Sequence, residues 1–347
     1  MKSHACLCCQ RPDRQKGVSL ILALLIVAAV GAMAVYMNRD VERGLRFAEN
    51  RQFGAQGMQL FDGGEEAASF YLNEDLKDNQ VDNLGEPWAQ PYSFPLEIAV
   101  VQLAMEDMQG RLNINNLQGK VADSNGKPLH ERFTVPQRRF IRLLQSFEEL
   151  PVDQNEAVEI TEAVIDWLDP DDEATGFGGA ESSYYQSAAT PGYRPANREM
   201  LSVSELRLVK GVTAELFQLV APHLCALPAG TPLNVNTANA HVLRTLNISD
   251  QLAPLSQEDG DEMVSKRGQS GYDDMDAFLD TALLSDLLDR ATRAGQFLST
   301  DELSVSTGYF MLRTEAVVAQ RRSYGQSLLH RTADGVRVVN RQLGSWQ

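Results

Sequence analysis

The densest chemistry in the chain lies in one loop. Asp169, Asp171, Asp172 and Glu173 surround Pro170, and Glu181 follows after Gly176, Gly178 and Gly179. Alternating carboxylates in a glycine-bearing loop offer the hard oxygen ligands that Ca²⁺ takes at about 2.3–2.6 Å. Asp169, Asp171 and Glu173 fall where the first, third and fifth residues of an EF-hand loop stand. The match then stops, because Ala174 holds the place of the required glycine and Glu181 comes one residue late. The loop is not an EF-hand. It reads either as a cation site or as a solvated acidic loop capping a helix that ends at Leu168. Two further acidic stretches, Glu258 to Glu262 and Asp273 to Asp276, read mainly as solvated helix faces, with help to a second ion as the alternative.

Other reactive side chains lack the spacing that catalysis needs. His130, His223, His241 and His330 form no H-E-x-x-H pattern. Ser182 and Ser183 sit in no G-x-S-x-G elbow. Asp166 and Asp169 flank Trp167 like a glycosidase acid and base, but three residues apart is also the spacing of one helix face. No enzyme is expected. Ser204 to Val212 and Pro232 to Leu246 resemble helix-hairpin-helix units, which often hold DNA phosphates at a helix N-terminus. The formal charge of -16 repels a phosphate backbone, so these segments are expected to pack rather than to bind nucleic acid.

The elements that must position this chemistry begin with a greasy helix. Val18 to Met37 carries no charge. At about 1.5 Å per residue such a run spans the roughly 30 Å of a bilayer's hydrocarbon core. Lys2, Arg11, Arg14 and Lys16 precede it against Asp13 alone. That bias keeps the short N-terminal segment cytoplasmic and sends the remaining residues across the membrane. No small-residue cleavage site follows the apolar run; Asn38, Arg39, Asp40 and Glu42 come instead. The pair Lys16-Gly17 stands directly before it. An uncleaved signal anchor is the plainer alternative.

The Lys16-Gly17 junction resembles the class III leader of type IV prepilins and pseudopilins. That resemblance implies that a prepilin peptidase cuts between Gly17 and Val18, keeps the apolar helix and methylates the new N-terminus. Cleavage would remove Cys6, Cys8 and Cys9 and leave Cys225 alone, which reads as a small buried hydrophobe. It would also take four basic residues and one acid, a net loss of three positive charges, moving -16 to -19. Position five of the processed chain is Leu22, where most pilin-like subunits carry a glutamate facing a neighbour's amino-terminus. A subunit without that acid is a poor link inside a filament, because an unpaired buried charge is costly. It suits the tip.

Beyond the membrane, Asp40 to about Leu76 continues the helix past several glycines, and Gly85-Glu86-Pro87 stops the pattern. Ala99 to Leu117 alternates like strands with a turn at Gln109-Gly110. Tyr309 to Val318, Arg321 to Arg331 and Val336 to Leu343 read as three more, with turns at Ala319-Gln320 and Ala333-Asp334-Gly335. Between them lie candidate helices at Val135 to Phe147, Asn155 to Leu168, Ser202 to Lys210, Thr213 to Leu224, Ala238 to Leu246 and Met275 to Arg293. The expected class is α+β: a pilin-like fold of a long N-terminal helix and an antiparallel sheet, with a large inserted all-α domain. The boundaries are leader 1–17, membrane helix 18–37, pilin-like part 38–118, helical insert 119–300 and C-terminal strands 301–347.

Three segments extend the resemblance over most of the chain: IDWLDPDDEATGFGGAESSYY (Ile165 to Tyr185), GYRPANREMLSVSELRLVKGV (Gly192 to Val212) and PLNVNTANAHVL (Pro232 to Leu243). They are similar to the minor pseudopilin K family of type II secretion systems; Gly192 departs from its usual aromatic or proline, and Ile248 to Gly271 stays unplaced. The resemblance implies a single-pass inner-membrane protein with a periplasmic head. It implies a place at the pseudopilus tip, minor pseudopilins I, J and H as partners, and calcium in the helical domain at Asp169, Asp171, Asp172, Glu173 and Glu181. A type IV minor pilin and a membrane-anchored periplasmic enzyme are the alternatives.

Overall fold

A computed structural model describes residues 16–97, 99–122, 126–188, 190–318 and 320–344. Cys6, Cys8, Cys9, the basic residues before Lys16 and Ala319 of the expected turn lie outside the described residues. The chain divides into two compact units, Met1–Gln59 and Leu60–Gln347. In the first, the helix that begins at Lys16 presents Val18, Leu22 and Val27 with 63%, 58% and 68% of their surfaces open. An apolar helix so exposed needs a lipid or protein environment to bury it.

That helix, α1 (Lys16–Asp78), runs unbroken through Gly44, Gly54, Gly57, Gly63 and Gly64 and ends before the Gly85-Glu86-Pro87 stop that the sequence offers. Its end is set locally: the Asn79 carboxamide oxygen accepts from Val81 N at 2.7 Å and turns the chain. In the second unit, the last turns of α1 lie on a five-stranded antiparallel sheet of β1 (Tyr92–Pro95), β2 (Ala99–Asp107), β7 (Tyr309–Val318), β8 (Arg321–Thr332) and β9 (Gly335–Leu343), in that order. Phe61, Ala68 and Leu72 of the helix pack on Val101, Leu103, Met105, Phe310, Leu312 and Leu329 of the sheet. The alternation along β2 puts every second side chain inward, as period-two geometry requires. Gly64 permits the close approach, since a Cβ there would stand 2.9 Å from a Leu103 methyl.

Between β2 and β7 the chain is mainly helical: α2 (Val135–Leu144), α3 (Gln154–Leu168), α4 (Ser182–Ala188), α5 (Ala214–Val220), α6 (Ala240–Leu243), α7 (Gln257–Arg267), α8 (Met275–Leu279) and α9 (Ala282–Ala294). Two short parallel ladders accompany them: β3 (Leu112–Asn113) on β4 (Leu224–Cys225), and β5 (Leu233–Asn234) on β6 (Leu303–Ser304). The helices enclose a core around Phe140, Leu144, Val164, Trp167, Leu216 and Val242. The unplaced stretch contains α7, preceded by a loop that Arg142 clasps through the carbonyls of Thr245, Ile248 and Gln251 at 2.6–2.9 Å. The NVNTANA segment joins the helical part to the sheet. Buried Asp107 at the end of β2 accepts from Asn234 Nδ2 at 2.8 Å and Thr237 Oγ1 at 2.6 Å, and Gln109 Nε2 donates to Pro232 O at 3.0 Å.

Candidate metal centre

Helix α3 carries the acidic loop on one stripe of carboxylates. Glu162 and Asp166 are one helical turn apart, so both face the same side, and both are buried. Asp166 accepts from Thr175 N at 3.0 Å and Ala180 N at 2.7 Å, while Glu162 accepts from Gly178 N at 2.8 Å. Charge-assisted bonds of this kind are strong because the acceptor is ionised. They draw the loop after Leu168 back against the helix. The glycines are what allow it: a Cβ on Gly178 would lie 2.2 Å from the Glu159 Cα, and one on Gly179 would meet Asp166 Oδ2 at 2.5 Å. Lys210, in a helix-hairpin-like segment, donates to Gly178 O at 2.9 Å and stands over the Tyr184 ring. The cation that such a unit would offer a phosphate is thus spent inside the fold.

The folded loop brings Asp169, Asp171 and Glu181 together, with ligand oxygens all within 4.8 Å of one another. Of the other two expected ligands, Asp172 stands at the edge of the cluster with its carboxylate against Glu181, and Glu173 stays outside it. The Asp172 carboxylate accepts from Ser182 N at 3.2 Å and so serves the start of α4. The Glu173 side chain is exposed, and its backbone N–H donates to Asp171 Oδ1 at 3.0 Å. One group not expected joins the cluster. Asn197, at φ 47°, donates its Nδ2 to Asp171 O at 2.6 Å. Asn tolerates that left-handed conformation better than most residues. The GYRPAN segment was the available signal, but spacing alone gives Asn197 no role.

Three oxygens of this cluster are buried with no hydrogen-bond partner among the described residues, Asp169 Oδ1 and both carboxylate oxygens of Glu181, and so is Oδ1 of Asn197, whose amide nitrogen is bonded to Asp171 O. Burial, then the negative charges of Asp166, Asp169 and Asp172, pushes the Glu181 pKa up to about 8. Burial, then Asp171 and Asp166, pushes Asp169 up to about 6. Lys120 Nζ approaches Asp171 Oδ2 at 3.7 Å but is 87% exposed, so water screens most of its effect. Orphaned buried oxygens cost free energy unless a cation or protons satisfy them. Three carboxylates and a carboxamide oxygen are the all-oxygen donor set that Ca²⁺ prefers, and the residues fit it.

The remaining acidic groups have internal uses. Asp75, Asp82 and Glu86 form a second cluster of ligand atoms, but Arg331 already fills it, reaching Asp75 at 2.7 Å and Asp82 at 2.5 Å. Asp259 completes a capping box with Ser256 at the start of α7, and Asp274 accepts from Ala277 N to cap α8. Asp166, the imagined acid of a glycosidase pair, is committed to loop amides.

Comparison with known proteins places these features in a group. The family "Type II secretion system (T2SS), protein K" matches in two parts, residues 110–229 and residues 233–300. Type II secretion system protein K of Aeromonas hydrophila is 32% identical over 337 residues, covering 95% of this chain and 97% of that protein. The protein of the same description from Pseudomonas aeruginosa is 32% identical over 341 residues, covering 95% of this chain and 93% of its own. In the crystal structure of the GspK-GspI-GspJ complex from the enterotoxigenic Escherichia coli type 2 secretion system, one chain superposes with a TM-score of 0.70 at 26% identity. The match covers 86% of this chain and 99% of that one.

Proposed function

Because the chain belongs to the type II secretion system protein K family, we propose that this minor pseudopilin caps the tip of a short periplasmic pseudopilus that drives export of folded proteins across the outer membrane. The observation that carries the tip position is Leu22. It stands on the exposed apolar face of α1, one turn beyond Val18, where a filament subunit carries a carboxylate to meet its neighbour's amino-terminus. A subunit above would gain no pairing from this one.

In the same reading, α1 anchors the chain in the inner membrane until prepilin peptidase cuts between Gly17 and Val18 and methylates Val18. Afterwards the helix packs among those of other pseudopilins. The head then meets minor pseudopilins I, J and H; the related E. coli chain was crystallised in a complex with GspI and GspJ. The chain acts by holding partners, not by catalysis. Calcium, bound by Asp169, Asp171, Glu181 and Asn197, would supply the positive charge that lets α3 and the loop after it close without unpaired carboxylates.

Co-expression of the full chain with the I and J pseudopilins of its own system tests the proposal. A stable complex of all three, extracted in detergent, is the expected result. Failure of the chain to associate with either under conditions where I and J bind each other would overturn it.

A further inference from the structure

His223 and His241 lie in the helical part of the second unit, away from the acidic loop in sequence. His223 closes the turn after α5, and His241 is in α6. Their hydrogen bonds fix which nitrogen carries the proton. The hydroxyl of Ser146 donates to Leu143 O at 2.8 Å, so the 3.1 Å contact between Ser146 Oγ and His241 Nδ1 must run from the imidazole N–H to the oxygen. Asn239 caps α6 by accepting from Val242 N at 3.2 Å, which identifies its facing atom as oxygen. His223 Nδ1, 3.0 Å from that oxygen, is therefore also the donor. Both neutral rings keep the proton on Nδ1 and leave Nε2 as a bare lone pair.

We propose that the Nε2 atoms of His223 and His241 form a binding site for a divalent transition metal of zinc's character. Metal-binding histidines nearly always have their other ring nitrogen held by a neighbour, as Ser146 and Asn239 do here. Both residues are half-buried, and the hydrogen bonds that hold the two rings run through Nδ1. The spacing fits a shared ion. Two imidazoles on one tetrahedral zinc, with Zn–N of about 2.0–2.1 Å, have ring centres about 5 Å apart. These rings are 4.9 Å apart with planes at 61°. Phe147 holds both in place, stacking on His241 at 4.6 Å and tilted against His223 at 5.3 Å. Glu149 and Asp261 add negative charge near His241, against Arg244 beside it and Arg111 near His223. Two imidazoles suit zinc, copper or nickel and not calcium, so the pair and the acidic loop select different ions.

The test is calorimetric titration of the processed chain, starting at Val18 and so free of Cys6, Cys8 and Cys9, in calcium-containing detergent buffer with zinc chloride alone. One ion should bind per chain. Binding should be lost in His223→Asn and His241→Asn, weaken about tenfold or more in Ser146→Ala, and stay unchanged in His130→Asn. No binding up to millimolar zinc, or equal affinity in the histidine variants, would overturn the proposal. Should those variants fail to fold, carbethoxylation of the wild-type protein decides. Zinc should protect His223 and His241 while His130 and His330 react as before; equal reaction with and without zinc refutes the site.

Discussion

Glu181 brings two carboxylate oxygens into a buried position where, among the described residues, nothing donates to them. Without a cation the least costly state is the protonated one, and the rise of its pKa to about 8 expresses that. An unfolded glutamate titrates near about 4.3. Below that pH both states hold the proton and the group costs nothing; above it the unfolded chain ionises first. The cation-free fold therefore loses stability as pH rises from the unfolded value through about 8, and Asp169 adds to the loss up to about 6. In calcium-free buffer the melting temperature of the full chain should fall between pH 5 and pH 8, and Glu181→Gln should flatten that fall. A wild-type profile as flat as the variant's would contradict the unpaired cluster. Calcium binding at pH 7 should also release about one proton, because Glu181 must ionise to serve as a ligand. The measured heat should then depend on the buffer's ionisation enthalpy, and Glu181→Gln should remove most of that dependence. At this scale the sequence shows Asp169, Asp171 and Glu181 through their acidic pattern. It cannot show that Asp172 is held at the edge by Ser182 N while Glu173 turns to solvent, because that choice is made by the turn. Nor can it place Asn197, which arrives through a distant contact in a left-handed conformation.

Helix α3 and its loop behave as one device, with the helix supplying carboxylates and the loop supplying amides. Gly178 is the tightest point, since any Cβ would meet the Glu159 backbone at 2.2–2.7 Å and backbone cannot rotate away. Gly178→Ala should cost on the order of 1–3 kcal/mol. It should also weaken calcium binding and open the segment between Asp169 and Glu181 to limited proteolysis. Retained affinity with unchanged protection would mean that the loop does not depend on this approach. The elements themselves differ in how far they can be read. Strands β7 and β8 follow their alternation closely, because every second side chain turns inward, whereas β9 at the sheet edge buries no residue and was legible by its β-branched run and the turn before it. Tyr92–Pro95 is too short to alternate visibly, yet it pairs with β2. The helix expected from Ala238 to Leu246 shrinks to Ala240–Leu243, since Arg244 turns to donate to Ser146 O and Leu255 O instead of facing solvent. The α7 segment has little apolar periodicity to find, and what holds it is tertiary: Arg267 donates to Val235 O at 3.0 Å. Local pattern was legible where one face met a broad surface and illegible where single polar side chains did the holding.

The whole molecule joins an apolar membrane segment to an acidic head, and the two place different demands on the surroundings. The head needs counter-charge. Chelation of calcium from the full-length protein in detergent should lower its melting temperature by several degrees, through loss of the linkage term that a bound ion gives the folded state. An unchanged temperature would remove calcium from the account. The membrane segment needs apolar neighbours, and at Leu22 it presents leucine where a filament interior pairs a carboxylate with an amino-terminus. A glutamate introduced there would have to bury a charge with no amine above it if the chain sits at the tip, and burying an unpaired charge is strongly unfavourable. Secretion by cells lacking the native gene product should therefore be restored by the wild-type chain, and Leu22→Glu should restore it no better. Were only the glutamate variant to restore it, the chain would be a link within the filament and the tip position would fall. Gly17→Ala in the same cells distinguishes position from processing. It should leave an unprocessed chain in the membrane, detectable by its larger mass, with secretion lost whatever residue stands at position 22.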